Sequence, residues 1–275
     1  MRVYKSEVQR LFPTGATLGE LLGKLSGLPE AAVAEAARKG SVWLQRAGRG
    51  KILRCRSTEE PLSPRDVVQF FYDPRVLKLP ELEDAECVYE NKNYGVWIKA
   101  PGVVPQGTQT GDHASLLRCV ELKTGHEVFL VHRLDRETTG LMLIAYTSRA
   151  AALLGELFQK NLIKKEYLAV VRGSLPKGHT ETIRASLDQK EATTHVEVLE
   201  TARDTSLLRV HIETGRLHQI RRHLDFIGHP VLGDPKYGKG NKNRSGLQLY
   251  AVSLGFVDPW DGETKAWRME PEVTP

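Results

Sequence analysis

The order of apolar and polar positions divides the first 80 residues into short helices followed by short strands. In ATLGELLGKLSGL, leucines recur three or four positions apart after Thr17, which predicts a helix capped by that threonine. LPEAAVAEAARKG predicts a second helix that ends at Gly40. The segments SVWLQ, KILRCR and DVVQFFY are short and β-prone, and the first two are separated by the turn AGRG. These patterns predict a small α+β module.

The rest of the chain alternates strand patterns with a few helices, without the regular spacing of βαβ units. VYENKNYGVWIKAPG predicts two strands joined by a polar turn. Further strands are predicted in GLMLIAYT, EYLAVVRG, THVEVLE and SLLRVHIET, and a helix in AALLGELFQKN. This mixture favours an α+β domain on a mostly antiparallel mixed sheet. We predict two domains, residues 1–79 and 80–275, with a linker rich in proline and acids at about residues 73–86.

One further helix is predicted in ETGRLHQIRRHLDFIGHPVLGDPKYG. An apolar stripe forms at 100° per residue, with Thr214 as a possible cap and Gly228 as a stop; its members are Leu217, Ile220, Leu224 and Ile227. Arg221 lies at the edge of this stripe. A guanidinium held against a core is costly unless an anion meets it, although such a side chain can also extend its charged head to water.

Composition indicates a globular protein rather than a membrane or secreted one. With 275 residues and 40% hydrophobic content, the chain can form one large core and a smaller module. No apolar run approaches the roughly 18 residues that cross a bilayer, and MRVYKSEVQRLF lacks the apolar core of a secretory signal. The three cysteines are odd in number and widely spaced, as expected for reduced thiols. We expect a monomeric, cytoplasmic protein.

The positive charge is concentrated in the N-terminal part. Residues 1–79 contain 14 Lys and Arg against 8 Asp and Glu, so they hold the whole excess of a chain whose net charge is +5. Within residues 38–56, RKGSVWLQRAGRGKILRCR has seven basic residues and no acid, a composition suited to contact with a polyanion. Two helices, a basic turn and a closing strand resemble the alpha-L RNA-binding module, although the Arg-Leu-Asp opening usual in that module is absent before Leu21. The alternative is an α+β cap with a solvated basic face.

A second charged cluster contains the candidate chemistry. In VHRLDRETTG, His132, Arg133 and Arg136 surround the carboxylate of Asp135, immediately before an apolar strand. The sequence has neither a P-loop nor a G-x-G-x-x-G that joins a strand to a helix, so nucleotide binding is unsupported. No histidine pair has the H-E-x-x-H spacing, and no metal or cofactor is predicted.

Three ordered motifs carry a family resemblance. HRLDRETTGLMLIA, KKEYLAVVRG and TGRLHQIRRHL with GHPVLGDPKYG resemble the successive motifs of the RluA-type pseudouridine synthases, and the resemblance covers most of residues 88–259. Thr139 stands where that family usually has serine, and LQLYAVSLGFVDPW replaces its usual His-Ala and His-Pro pairs. The resemblance implies an isomerase that detaches uracil from ribose in RNA and rejoins it through carbon-5, without a cofactor.

The same resemblance assigns roles to individual residues. Asp135 matches the catalytic aspartate, Tyr167 the aromatic residue beside the flipped uracil, and Arg221 the partner of the carboxylate. Arg133 matches the residue that fills the vacated base stack. The predicted substrate-binding set also includes His132, Arg136, Thr139, His218 and Gln219.

The expected partner is ribosomal or transfer RNA, and the N-terminal module favours large-subunit ribosomal RNA. Whether Asp135 attacks the sugar or removes a ribose proton stays open. One alternative function is a non-catalytic RNA-binding or ribosome-assembly factor. Another is a nuclease or glycosidase, which ordinarily needs a metal cluster or a second catalytic carboxylate.

Overall fold

The computed structural model describes residues 1–7, 16–241 and 245–275 and divides them into two compact units. Unit 1 consists of Met1–Glu83 and Gln106–Leu122, and unit 2 of Asp84–Pro105 and Lys123–Pro275. The predicted boundary at residue 79 was therefore too simple, because unit 1 also takes a segment from within the predicted second domain. Hydrophobic periodicity does not show that a later segment packs back onto an earlier one.

Unit 1 contains a four-stranded antiparallel sheet with two short helices. Its strands are β1 (Arg2–Glu7), β2 (Val42–Gln45), β3 (Leu53–Arg54) and β4 (Val67–Tyr72), in the order β1-β4-β2-β3. Its helices are α1 (Leu18–Ser26), α2 (Glu30–Arg38) and α3 (Pro74–Leu77); α4 (Leu116–Thr124) begins in this unit. The predicted cap is confirmed: Thr17 accepts the backbone N–H of Glu20 at 3.3 Å, while Glu20 accepts that of Thr17 at 3.0 Å.

The apolar sides of α1 and α2 pack on the sheet and form the core of unit 1. Leu18, Leu21 and Leu22 are fully buried together with Val33 and Phe70. Leu25, the fourth leucine of the first pattern, is 42% exposed, so the buried stripe is narrower than its spacing suggested.

Unit 2 is built on a large mixed sheet, which confirms the predicted α+β class. Its strands are β5 (Cys87–Glu90), β6 (Tyr94–Lys99), β7 (Phe129–Leu130), β8 (Thr139–Ala145), β9 (Lys164–Arg172), β10 (Thr180–Arg184), β11 (Thr193–Thr201), β12 (Thr205–Ile212), β13 (Leu249–Val257) and β14 (Thr264–Arg268). The order is β10-β11-β12-β9-β13-β8-β6-β5, with β14 on β13 and β7 on β8. Pairing is antiparallel except between β13 and β8. The helices are α5 (Ser148–Gln159) and α6 (Gln219–Phe226).

The register of this sheet places the candidate residue Tyr167 in one row with Lys99, on the same face. Lys99 pairs with Gly140, Gly140 with Ala251, Ala251 with Tyr167, and Tyr167 with Val210. Gly140 is required where β8 meets β13: its φ is +137°, and a Cβ there would lie 2.3 Å from the carbonyl oxygen of Ala251. The strand that follows the HRLD motif therefore joins, at Gly140, the same row that contains Tyr167.

The predicted start of the last helix was wrong. Thr214 does not cap it; its hydroxyl donates to the side-chain oxygen of Gln219 at 2.7 Å, and the helix begins at Gln219. His218 is the N-cap residue, in a left-handed conformation with φ +53°. Leu217, predicted to be in the apolar stripe, precedes the helix and is 56% exposed, whereas Leu224 is buried. The side-chain oxygen of Gln219 accepts hydrogen bonds from the Thr214 hydroxyl and the Arg216 backbone, which holds the segment before the helix as a loop. The helical pattern therefore does not extend back to Thr214.

None of the helices in the described ranges is both long enough and apolar enough to cross a membrane.

Candidate active site

A cavity of about 490 Å³ in unit 2 brings the three motifs together. Its walls come from the HRLD loop, from the end of α5 and the start of β9, and from the segment that leads into α6. Asp135, Tyr167, His218 and Arg221 all line it. The structure therefore places side chains from three separate parts of the sequence around one space large enough for a small ligand.

Arg221 is a buried charged side chain that lines this cavity. It is only 2% exposed, so its guanidinium needs acidic partners. One amino group, Nη1, donates to Oδ2 of Asp135 at 3.0 Å, while Nε and Nη2 donate to the two oxygens of Asp234 at 2.7 and 2.8 Å. Burial lowers the pKa of Arg221, but these hydrogen bonds raise it by more, so the group stays charged. The predicted pairing with Asp135 is present.

Asp234 was not among the predicted site residues. Its side chain is fully buried, and Oδ1 also accepts the backbone N–H groups of Lys236 at 2.8 Å and Tyr237 at 3.0 Å. Burial raises the pKa of Asp234, but the hydrogen bonds from Arg221 and the two backbone groups give a net lowering. Two sequence signals point to this residue: it lies in the motif GHPVLGDPKYG, and it starts the turn DPKY, a common place for an aspartate that caps a turn.

His218 faces the other oxygen of Asp135. Its Nε2 lies 3.9 Å from Oδ1 of Asp135, which is too long for a hydrogen bond, while its Nδ1 lies 3.0 Å from the Tyr237 hydroxyl. Burial lowers the pKa of His218, against the opposing effect of Asp135. The Tyr237 ring also lies beneath the guanidinium, with its centroid 5.3 Å from the central carbon of Arg221. The turn that contains Asp234 thus supports both neighbours of Asp135.

Tyr167 extends from β9 into the cavity and is 8% exposed. Burial raises the pKa of Tyr167 well above its usual range, and the nearby charge of Asp135 adds to the shift. The phenol is therefore neutral near pH 7 and suited to packing and to hydrogen-bond donation.

The basic residues of the HRLD loop have different environments. Arg133 is exposed at the cavity wall and has no ion pair or hydrogen bond within the described residues. Arg136 is also exposed, but its Nε donates to the carbonyl of Gly102 at 3.0 Å, and it does not line the cavity. Thr139 starts β8 outside the lining.

His132 and Gln219 line the cavity but use their polar groups for structure. His132 Nε2 accepts the backbone N–H of Leu143 at 2.9 Å, and burial lowers the pKa of His132 to about 3, so its ring is neutral. Gln219 accepts from Thr214 and from the backbone of Arg216, and its amino group donates to the carbonyl oxygen of Thr193 at 2.9 Å. Through these hydrogen bonds, both side chains fix the segments that form the walls of the cavity.

Lys99 is a further residue that the sequence did not indicate. It is fully buried, and its ammonium donates to three carbonyl oxygens, those of Ala100, Val103 and Arg136, each at 2.9 Å. Burial lowers the pKa of Lys99 to about 8, although the charges of Glu137 and Asp135 oppose this. Lys99 joins the loop after β6 to the loop that presents Asp135.

Within the described ranges, no group of three or more His, Cys, Asp or Glu side chains is arranged to hold a metal ion. What the cavity offers is one partly exposed carboxylate, held on one side by a buried cation and bordered by a neutral phenol. That set suits acid–base or nucleophilic chemistry on a neutral, planar ligand.

Comparisons with known proteins bear on the family and the fold of this chain. The sequence model of a family described as RNA pseudouridylate synthase matches residues 89–226. The uncharacterized RNA pseudouridine synthase YlyB of Bacillus subtilis is 36% identical over 208 residues, which cover 67% of this chain and 68% of that protein. The ribosomal large subunit pseudouridine synthase D of Haemophilus influenzae is 38% identical over 211 residues, covering 67% and 64%.

Among solved structures, human RNA pseudouridylate synthase domain containing 1 superposes with a TM-score of 0.61 at 23% identity, covering 72% of this chain and 88% of that one, which supports the fold. The chain spans slightly more than two thirds of the Bacillus protein and slightly less than two thirds of the Haemophilus protein. The family match and the first of these relatives together settle the classification. This chain belongs to the RNA pseudouridine synthase family, as an RluA-type isomerase.

Proposed function

We propose that this chain converts uridine to pseudouridine in large-subunit ribosomal RNA, with Asp135 as its catalytic residue. The observation that carries the proposal is the placement of Asp135. One of its oxygens is bound by buried Arg221 at 3.0 Å, while the carboxylate remains 19% exposed in the cavity beside Tyr167. A carboxylate fixed on one side and open on the other can act on a ribose or a base that enters the cavity.

The target nucleotide must leave its stack to reach Asp135, at a cost of roughly a few kcal/mol. Arg133 is suited to fill the gap, since its planar cation is exposed and unpaired in the described part of the chain. Tyr167 packs beside the flipped uracil. Because burial raises the pKa of Tyr167, the phenol acts as a hydrogen-bond donor or packing surface rather than as a base at neutral pH.

The choice of ribosomal RNA over transfer RNA rests on two supports. Several relatives are named ribosomal large subunit pseudouridine synthase D, including those of Haemophilus influenzae and Vibrio vulnificus. The basic N-terminal part suits contact with an extended RNA surface. We expect cells that lack the protein to lose pseudouridine at one or a few positions of large-subunit ribosomal RNA, detected by site-resolved mapping of total RNA.

Re-expression of the wild type should restore these sites, and re-expression of Asp135→Asn should not. Loss confined to transfer RNA would refute the choice of target. Unchanged pseudouridine together with altered ribosome assembly would favour the non-catalytic alternative. Shortened RNA chains would favour a nuclease.

Most of the cations in the basic run of residues 38–56 are paired with carboxylates, which the sequence of the run does not show. Five of its seven cations lie within 4.0 Å of a carboxylate in unit 1: Arg38 with Glu81, Lys39 with Glu35, Arg46 with Glu60 and Asp66, and both Arg54 and Arg56 with Asp112. Arg49 and Lys51 are exposed and have no acidic partner among the residues described. We propose that these two cations provide the phosphate contacts of the run.

The double variant Arg49→Ala/Lys51→Ala should bind RNA more weakly and with a shallower salt dependence. If each cation neutralises one phosphate, the slope of log affinity against log salt should fall by about 1.4 to 1.8. Binding titrations at several salt concentrations measure this in the full chain. Arg2→Ala/Lys78→Ala removes two exposed cations of the same unit outside the run and serves as the control. If the slope of log affinity against log salt were the same for both variants, residues 38–56 would be a solvated basic face and not a site of phosphate contact.

A further inference from the structure

Asp135 shares its cationic partner with a second acid. Arg221 presents Nε and Nη2 to Asp234 and only Nη1 to Asp135. Asp234 is the more deeply buried of the two, with a fully buried side chain against 19% exposure for Asp135. Asp234, which does not line the cavity, therefore binds the guanidinium of Arg221 more extensively than Asp135 does.

The charges in this cluster do not cancel. One guanidinium stands between two carboxylates, so the triad of Asp135, Arg221 and Asp234 has a net charge of −1. Glu137 adds a further carboxylate oxygen 4.0 Å from Nη1 of Arg221. Among the described residues, further titratable or charged groups around the cluster are His218 on the α6 side, Tyr167 from β9, Lys99 from β6, and Lys236 and Tyr237 in the turn. A single Asp–Arg pair would be neutral, and its carboxylate would be a weaker base and nucleophile.

We propose that Asp234 is a positioning residue that fixes Arg221 and takes up much of its charge, so that Arg221 orients Asp135 without neutralising it. The inference rests on the proposed function, because it concerns the reactivity of Asp135. Asp234 itself does not line the cavity, so it would act on the reaction only through Arg221.

Two roles of Asp234 can be told apart, because removal of its charge should change the ease of protonation of Asp135 in opposite directions. If Asp234 only anchors the guanidinium, its loss frees Arg221, and Asp135 then protonates more readily. If Asp234 also takes up charge, Asp234→Asn leaves the full positive charge of Arg221 to Asp135, which then protonates less readily. The sign of the shift separates the two roles.

The test compares Asp234→Asn with the wild type in the full chain. We expect the acidic limb of the pH dependence of kcat/KM to move to lower pH, by about one pH unit. The plateau rate should fall, by up to about tenfold, because Asp135 becomes a weaker base. Asp188→Asn is the matched control, since Asp188 forms an exposed pair with Arg222, the neighbour of Arg221 in α6, at 2.9 Å. An acidic limb that stays in place or moves to higher pH overturns the proposal.

Two measurements without RNA separate this proposal from the proposed function. The carboxyl carbon of Asp135 can be titrated by carbon-13 NMR, with its signal assigned by its loss in Asp135→Asn; its midpoint should be lower in Asp234→Asn. This result stands whether or not Asp135 proves to be catalytic.

If Asp234→Asn fails to fold, the Arg221 Nε–H signal of Asp135→Asn provides the test. It should keep its slow exchange with solvent, because Asp234 still binds it. Exchange as fast as that of Arg133, which is exposed and has no partner among the described residues, would show that Asp234 does not fix Arg221, and would overturn the proposal.

Discussion

Asp135→Asn is expected to abolish isomerisation, with turnover reduced by at least about a thousandfold. The substitution keeps the size of the side chain but removes the ionised oxygens, one of which binds Arg221 while the carboxylate remains accessible in the cavity. RNA affinity should stay within about a few-fold, because phosphate contacts provide most of it. Tritium release from RNA labelled at carbon-5 of uridine measures turnover, and a binding titration measures affinity.

The same substitution at Asp188 provides the control. Asp188 is exposed and pairs with Arg222 outside the cavity, so Asp188→Asn should release tritium at the wild-type rate. Release by Asp135→Asn at a rate close to that of this control would remove Asp135 from the mechanism.

Arg221→Met should reduce both activity and stability, with opposite dependences on pH. The variant leaves Asp234 buried without a cation, which costs about 3–5 kcal/mol of unfolding free energy near pH 7. In the wild type the pKa of Asp234 is lowered, so its stabilising contribution is present at neutral pH and is lost only in strong acid. In the variant burial prevails and raises the pKa of Asp234. The variant therefore binds a proton on folding in mild acid, and its deficit in stability becomes smaller as the pH falls.

Activity should change in the other direction. Without Arg221, Asp135 protonates more readily, so the loss of turnover, about a hundredfold at neutral pH, should become larger in acid. Urea denaturation at pH 5 and pH 8, with a pH–rate profile, tests both trends. Arg222→Met removes an arginine of the same helix that is 25% exposed and pairs with exposed Asp188, and it should have little effect on either. An unchanged acidic limb in Arg221→Met would refute the role of the pair.

The sequence predicted the elements whose signals are local. The helix cap at Thr17 and the strand GLMLIAYT depend on residues close together in the chain, and both are present. The partner of Arg221 could not be predicted in the same way. Periodicity placed Arg221 at the edge of the apolar stripe, but Asp234 is 13 positions away and reaches it only through a turn between them.

Other features that were not predicted from the sequence also depend on contacts between residues far apart in the chain. Lys99 meets the carbonyl of Arg136, 37 positions away, and Arg56 meets Asp112, 56 positions away. Residues 38–56 therefore appear uncompensated in the sequence, because their acids come from elsewhere in the chain. Leu217 was misplaced for a different reason: the side chain of Gln219 satisfies the preceding loop and delays the start of the helix.

The discontinuous first unit constrains how the protein can be made. Its segment Gln106–Leu122 supplies Asp112 to Arg54 and Arg56, and a carbonyl oxygen at Thr110 that accepts the Ser41 hydroxyl at 2.6 Å. These groups emerge from the ribosome after the first two strands of the second unit have been synthesised. At about 5–20 residues per second, the 39 residues between Glu83 and Leu122 add roughly 2–8 seconds. During that interval the nascent N-terminal segment lacks the acid that pairs with two of its arginines, so we expect its folding on the ribosome to finish only after synthesis of the second unit has begun.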